Sequence, residues 1–223
     1  LVTGVQTCAL PIYFVYEGDN YYSLFSFGAN SKALIIKNSR IHDYKSNLPC
    51  INNDSNTSLI IGIYNSTFDN NTLSASGDDY GTILRTKGYA FIDNSYFCNN
   101  TSKESSVIGT CQKLYVADSV FTGNKATDSY SSYPIASSNI GKVLNSVLTH
   151  NYFNDDYYLN NDEECSTVEY NDDCILTEND STVPTLDDNG RPAGISPSND
   201  WALKISDTKI EDIINFSDST QFE

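Results

Sequence analysis

Methionine is absent from the 223 residues, tryptophan occurs once, and 13 Lys and Arg face 29 Asp and Glu. The missing Met implies that the coding start is not included and that the chain is a fragment. The net charge of −16 repels phosphate backbones and anionic lipid, so no nucleic acid and no membrane surface is an expected partner. No apolar run approaches the roughly 18 residues of a transmembrane helix, so no direct membrane insertion is expected. The six cysteines, Cys8, Cys50, Cys98, Cys111, Cys165 and Cys174, include no C-x-x-C pair. That spacing argues against zinc ribbons and thioredoxin-type redox chemistry.

What is present is an Asn-, Ser- and Tyr-rich chain. Apolar residues make up 39%, a low share for a compact globule, yet 16 Tyr and 10 Phe argue against disorder. N-glycosylation sequons occur at Asn53, Asn56, Asn65, Asn70, Asn99, Asn100, Asn179 and Asn215. They fit an extracellular or cell-surface chain, although in this composition many arise by chance.

An internal repeat organises the sequence. Five segments align on a Ser preceded by Asn or Asp: "LIIKNSRIHDY" (34–44), "IGIYNSTFDNN" (61–71), "AFIDNSYFCNN" (90–100), "LYVADSVFTGN" (114–124) and "GKVLNSVLTHN" (141–151). The aligned serines, Ser39, Ser66, Ser95, Ser119 and Ser146, are 27, 29, 24 and 27 residues apart. Three places before each stands Ile36, Ile63, Ile92, Val116 or Val143, and two places after it Ile41, Phe68, Phe97, Phe121 or Leu148. Five places after it stand Asn71, Asn100, Asn124 and Asn151, with Tyr44 as the exception.

The two apolar columns are five residues apart, an odd number. A straight strand would point them to opposite faces, so both reach one core only if the chain bends between them. The bend belongs at the Asn-Ser pair, because Asn tolerates left-handed backbone. Stacking the bends puts Asn38, Asn65, Asn94, Asp118 and Asn145 in a turn ladder, each amide bonding the next. A further strand precedes each copy: "SLFSF" (23–27), "PCI" (49–51), "TILRT" (82–86), "SVIGT" (106–110) and "PIAS" (134–137). Each coil then holds three short strands, and coils of 24–29 residues stack about 4.8 Å apart as a parallel β-helix. A leucine-rich repeat fits worse, because its LxxLxLxxN pattern is absent. A β-sandwich does not require like side chains at the same place in every copy.

The h-x-h-x-N-S-x-F-x-x-N register resembles the right-handed parallel β-helix of the pectin-lyase-like superfamily. Within it, the register is similar to adhesin-like and polymorphic-membrane-protein-like surface proteins. The resemblance covers residues 23–153. It implies an all-β solenoid of about five to six coils, whereas the superfamily's activities range over lyases, hydrolases, adhesins and phage spikes. Near the C-terminus "LKISDTKIEDI" (203–213) fits the same register and reads as a further coil edge within 201–223. Between the two lies 154–200, read as an acidic loop insertion or small lobe projecting from the coils of 13–153. Its Cys165 and Cys174 are candidates for a disulfide in an oxidising compartment, the alternative being two free thiols. Cys98 and Cys111 read as buried free thiols.

Pectate-lyase-type and polygalacturonase-type catalysis both need carboxylates beside the sugar, with a basic residue held on one strand face. The best local match is "GDDYGTILRTKG" (77–88), where Asp78 and Asp79 precede a strand carrying Arg85 and Lys87. The alternative is a solvated turn followed by exposed strand residues. Neither His42 nor His150 sits in a G-H-G context. For Ca²⁺, "NDEE" (161–164), "NDD" (171–173) and "DDNG" (187–190) offer oxygen ligands without D-x-D-x-D-G spacing, so solvated acidic loops are the alternative and no cofactor is required. Trp201 with Tyr157 and Tyr158 reads either as a sugar-stacking platform or as packing. The expected function is that of a non-catalytic, adhesin-like surface protein binding polysaccharide or another surface protein through loops. A polysaccharide lyase or glycoside hydrolase using Asp78, Asp79 and Arg85 is the alternative. A matrix component stacking through open coil ends is a third reading.

The opening "LVTGVQTCALPI" fits no column of the repeat and lacks the h-region of a signal peptide. Residues 2–12 resemble the translation of a common sequencing adapter. Residues 1–12 are therefore expected to be an assembly artefact and are left out of the fold.

Overall fold

The computed structural model describes residues 13–15, 22–74, 81–103, 107–127, 134–153, 168–177 and 180–197, with backbone alone at 13–15, 110–111 and 136–140. The described residues are all-β and contain no helix. After β1 (Tyr13–Val15), a first coil holds β2 (Phe25–Ser26), β3 (Ala33–Lys37), β4 (Arg40–His42) and β5 (Lys45–Ser46). The second holds β6 (Ile51–Asn53), β7 (Ile60–Tyr64), β8 (Thr67–Asp69) and β9 (Thr72–Leu73). The third holds β10 (Leu84–Thr86), β11 (Tyr89–Asp93), β12 (Tyr96–Cys98) and β13 (Thr101–Ser102). In the fourth, the first two strands fuse into β14 (Ile108–Ala117), followed by β15 (Val120–Thr122) and β16 (Lys125–Ala126). The fifth repeats the fusion in β17 (Ile135–Leu144) and continues to β18 (Val147–Thr149); β19 (Val168–Tyr170) and β20 (Ile175–Leu176) follow.

Every strand-to-strand ladder is parallel, because like strands of successive coils stack on one another. Three sheets result: seven strands (β1-β4-β8-β12-β15-β18-β20), nine strands (the path β2-β6-β10-β14-β11-β7-β3, with β17 beside β14 and β19 beside β17), and four (β16-β13-β9-β5). The protein is a parallel β-solenoid of about four turns. That is fewer than the five to six coils expected, since five stacked copies enclose four complete turns and 203–213 lies outside the described residues. β19 and β20 add a partial rung, Val168 pairing with Gly141 and Ile175 with Val147.

The corners explain how two columns five residues apart share one core. Asn38, Asn65, Asn94, Asp118 and Asn145 have φ of 49°, 44°, 45°, 48° and 42°, so each corner is a single left-handed residue. A second left-handed corner follows β4 and its equivalents at Asp43, Asn70, Asn99, Gly123 and His150. Between the corners, Ile41, Phe68, Phe97, Phe121 and Leu148 turn inward to join Ile36, Ile63, Ile92, Val116 and Val143 in one core. Phe97 is stacked on both sides, 5.2 Å from Phe68 and 4.6 Å from Phe121, with the rings nearly parallel. A second apolar cluster of Ile60, Tyr64, Phe91, Tyr115 and Ala117 lies on the outer face of the nine-stranded sheet.

Polar ladders run through the stack. The backbone N–H of Ser39, Ser66, Ser95 and Ser119 each donates to the Oγ of the aligned Ser one coil on, all at 3.2 Å. Each Oγ in turn donates to the carbonyl two residues back, as Ser66 does to Tyr64. At the first corner, amide bonds join Asn65 to Asn38 at 2.7 Å and Asn145 to Asp118 at 2.5 Å. The unbroken amide ladder lies six residues further on, at Asn71, Asn100, Asn124 and Asn151, where each Nδ2 reaches the next Oδ1 at 2.9 Å. Each Oδ1 also accepts the backbone N–H of the preceding coil's residue, from Tyr44 to Asn124. Each Nδ2 donates besides to a carbonyl one coil back: Ile41, Phe68, Phe97 and Phe121. These four amides are buried, so their polar groups must be satisfied inside the protein, whereas Asn38 and Asn94 face water.

Candidate functional site

Alternation along the strands of the seven-stranded sheet turns two rows outward: Arg40, Thr67, Tyr96, Val120 and Val147, and His42, Asp69, Cys98, Thr122 and Thr149. An outward row of this polarity belongs in solvent. Instead Asp69, Cys98 and Thr122 are all 0% exposed. Their cover is the segment 180–197, which runs back across the sheet from the fifth coil to the first. The backbone N–H of Asp180 donates to the Asn151 carbonyl, and its carboxylate holds His150 Nδ1 at 2.8 Å. Asn99 Nδ2 donates to the Pro184 carbonyl at 3.2 Å. Arg191 lies 4.6 Å over the Tyr96 ring and donates to Asn65 Oδ1. Arg40 donates to the Asp188 carbonyl at 2.6 Å.

The segment's tip is a tight turn. Asp187 Oδ1 accepts the backbone N–H of Asn189 and of Arg191, both at 2.9 Å, and Leu186 pairs antiparallel with Pro192. The bond from the Arg191 backbone N–H holds the Asp187 carboxyl below its usual range. At Asp180 the Thr182 hydroxyl, then His150, lowers the carboxyl to about 2. Gly190, at φ 75°, sits on the Asp69 carboxylate; a Cβ there would meet Asp69 Oδ1 and Arg40 Nε. Asp69 in turn takes Arg40 bidentately, Nε and a terminal nitrogen each at 2.8 Å. A buried carboxylate is thus neutralised by one guanidinium that also grips the strap.

Of 154–200, read from the sequence as a projecting loop or lobe, 168–177 and 180–197 are described: the first continues the solenoid and the second lies on it. Asn171 Oδ1 accepts the Asn145 backbone N–H, a bond that at the earlier corners goes to a backbone carbonyl of the next coil. Cys174 stands where the coils carry their Ser: it precedes Ile175 as Ser146 precedes Val147, and Ile175 N–H donates to the Ser146 carbonyl. It is a free thiol whose Sγ bonds the Val143 carbonyl and Asn171 Oδ1. Its suggested disulfide partner Cys165 lies outside the described residues. Cys98 is a free, buried thiol on the outer row, while Cys50 is buried in the core and its thiol is pushed up by desolvation. Desolvation also raises Cys98.

Of the residues suggested for catalysis, Arg85 lies on β10 between Asn52 and Gly109, and Asp78 and Asp79 lie outside the described residues. So do 161–164, Trp201, Tyr157 and Tyr158. For Ca²⁺, the Asp187 carboxylate is committed to its own turn, and Asn171 to Asn145. Among the described residues no group of three or more His, Cys, Asp and Glu side chains is placed to hold a metal ion. His150 is a left-handed corner residue that anchors the strap, and His42 pairs with Asp43 at 2.7 Å. Three sequons are closed by the fold: Asn53, Asn56 and Asn100 are buried, with each Nδ2 bonded inside the protein. Asn70 is the exposed one among those described.

Comparisons with models of protein families, with curated proteins and with solved structures find no match to this chain.

Proposed function

We propose that this chain is a non-catalytic, extracellular or cell-surface solenoid that binds polysaccharide or a surface protein through the connections at one edge. The observation that carries this reading is where the sequence spends its freedom. Both corners and both interior ladders hold their register from coil to coil. The connections leaving the four-stranded sheet do not: they span 47–50, 74–83, 103–107 and 127–134. A rigid stack with constant corners and unequal segments beside the four-stranded sheet is the geometry of display. Its acidic balance suits a neutral or cationic ligand face rather than phosphate. The resemblance of the repeat to adhesin-like β-helices of the pectin-lyase-like superfamily agrees with it.

The test is retention of the purified chain on immobilised galactan, a neutral polymer, with assay of pectate, alginate and galactan for new reducing ends and unsaturated products. Retention without cleavage is expected. Replacing 75–80 by a short Gly-Ser link should weaken retention without changing the unfolding midpoint. Cleavage of any of these polymers would overturn the reading in favour of a lyase or hydrolase, and Asp78→Asn, Asp79→Asn and Arg85→Ala would then be the variants to assay.

A further inference from the structure

We infer that residues 180–197 form a detachable strap, which opens from the seven-stranded sheet while the solenoid beneath stays folded, and so uncovers a polar surface distinct from the variable edge.

The argument begins with how the strap is held. It adds no strand to the three sheets; its one bridge, Leu186 to Pro192, is internal. Its attachments are individual polar contacts spaced along its length: Asp180 to His150, Asn99 to the Pro184 carbonyl, Arg191 to Asn65 and Tyr96, and Arg40 to the Asp188 carbonyl. Ser181, Thr182 and Val183 stay exposed. The solenoid, by contrast, is tied by continuous ladders and a shared apolar core. Elements with few apolar contacts and single polar anchors open at lower free energy than the body they rest on.

The surface underneath has the composition of one built for water or a ligand. Thr67, Asp69, Cys98, Thr122 and Thr149 all lie buried beneath it. Two of the holding bonds run from side chains to strap carbonyls, at Pro184 and at Asp188 in the turn. The strap is thus gripped partly by its backbone, and its release frees the Asn99 and Arg40 contacts that hold it.

Cys98 reports the opening directly. It lies on β12 among the outward residues, beside Asp69 in the next strand, whereas Cys50 lies in the interior. A thiol reagent reaches Cys98 when the strap lifts, but reaches Cys50 only when the coils come apart.

The experiment uses the full chain, pulsed with a maleimide under native conditions, with labelling at each cysteine read by peptide mass spectrometry. Cys98 is expected to label faster than Cys50. Arg191→Ala, which removes the ring contact and the bond to Asn65, should raise the Cys98 rate about ten-fold, equal to about 1.4 kcal/mol in the opening equilibrium, with Cys50 unchanged. Gly190→Ala, strained at φ 75° and pressed onto Asp69, should raise it further. If Cys98 and Cys50 label at one common rate in both the wild type and Arg191→Ala, the strap opens only with the whole protein and the inference fails. Arg191→Ala tests the point even if Gly190→Ala does not fold. Failure to bind any polysaccharide leaves this result untouched, since it measures the strap alone.

Discussion

Asn100→Leu is expected to destabilise the protein by about 4 kcal/mol, with the urea midpoint falling at unchanged slope. The side chain is enclosed between Asn71 and Asn124, and its removal takes a hydrogen-bond partner from three buried groups. The Asn71 backbone N–H and one Nδ2 hydrogen lose their acceptor, and the Phe68 carbonyl loses its side-chain donor. Each lost partner of a buried group costs about 1–3 kcal/mol, and Leu supplies volume but no partner. Asn124 Oδ1 keeps the Asn100 backbone N–H, which is why the estimate counts three losses rather than four. Asn94→Gly is the matching control. Asn94 is exposed at φ 45°, and Gly adopts that backbone freely, so its effect should stay within about 0.5 kcal/mol. A loss below about 1 kcal/mol at Asn100 would show that the ladder's bonds are replaced locally.

Phe97→Ala should cost about 5 kcal/mol, the larger of the two effects. Truncating a buried Phe costs about 3–5 kcal/mol through lost transfer and the cavity left behind. Here the ring also stacks on two neighbours, and each aromatic pair adds about 0.5–1.5 kcal/mol. The cavity cannot collapse easily, because Phe68 and Phe121 are fixed by strands that pair through β12 itself. Phe97→Leu, which keeps most of the volume, should cost less than half as much in the same thermal or urea unfolding experiment. Against a total stability of about 5–15 kcal/mol, Phe97→Ala takes a large fraction of what holds the coils. An equal loss for Ala and Leu would show that stacking, not volume, dominates at this position.

The solenoid was legible in the sequence because its determinants repeat. Two apolar columns at an odd separation demand a bend, and Asn or Asp at Asn38, Asn65, Asn94, Asp118 and Asn145 marks it. The second corner is not legible, because its residues share only a tolerance of left-handed backbone; Asp43, Asn70, Asn99, Gly123 and His150 form no single-residue column. The rung at Cys174 was hidden because Cys replaces Ser and two acids replace the usual corner. The strap was not legible at all. Its contacts join residues 85, 126 and 148 positions apart, through backbone carbonyls and single side chains that follow no period. The turn at "DDNGRPAG" could be recognised locally, but its docking on Asp69 depends on Arg40, Tyr96 and Asn65 having been brought side by side by the coils.

The serine ladder also governs how the chain ages. Asn followed by a small residue is prone to lose its amide nitrogen, when the next backbone nitrogen closes on the side-chain carbonyl carbon to form a cyclic imide. Four such pairs stand at the repeated corners, Asn38-Ser39, Asn65-Ser66, Asn94-Ser95 and Asn145-Ser146, with Asn30-Ser31 and Asn189-Gly190 outside them. In the folded protein the attacking nitrogen of Ser39, Ser66 and Ser95 points its hydrogen at the serine oxygen of the next coil. Turning it toward the amide would break the ladder. Peptide mapping after long incubation should therefore find Asn38, Asn65 and Asn94 intact in folded protein and converted to Asp and isoaspartate in urea-unfolded chain. The bonds that set the pitch of the coils would also serve as chemical preservatives for the asparagines that shape them.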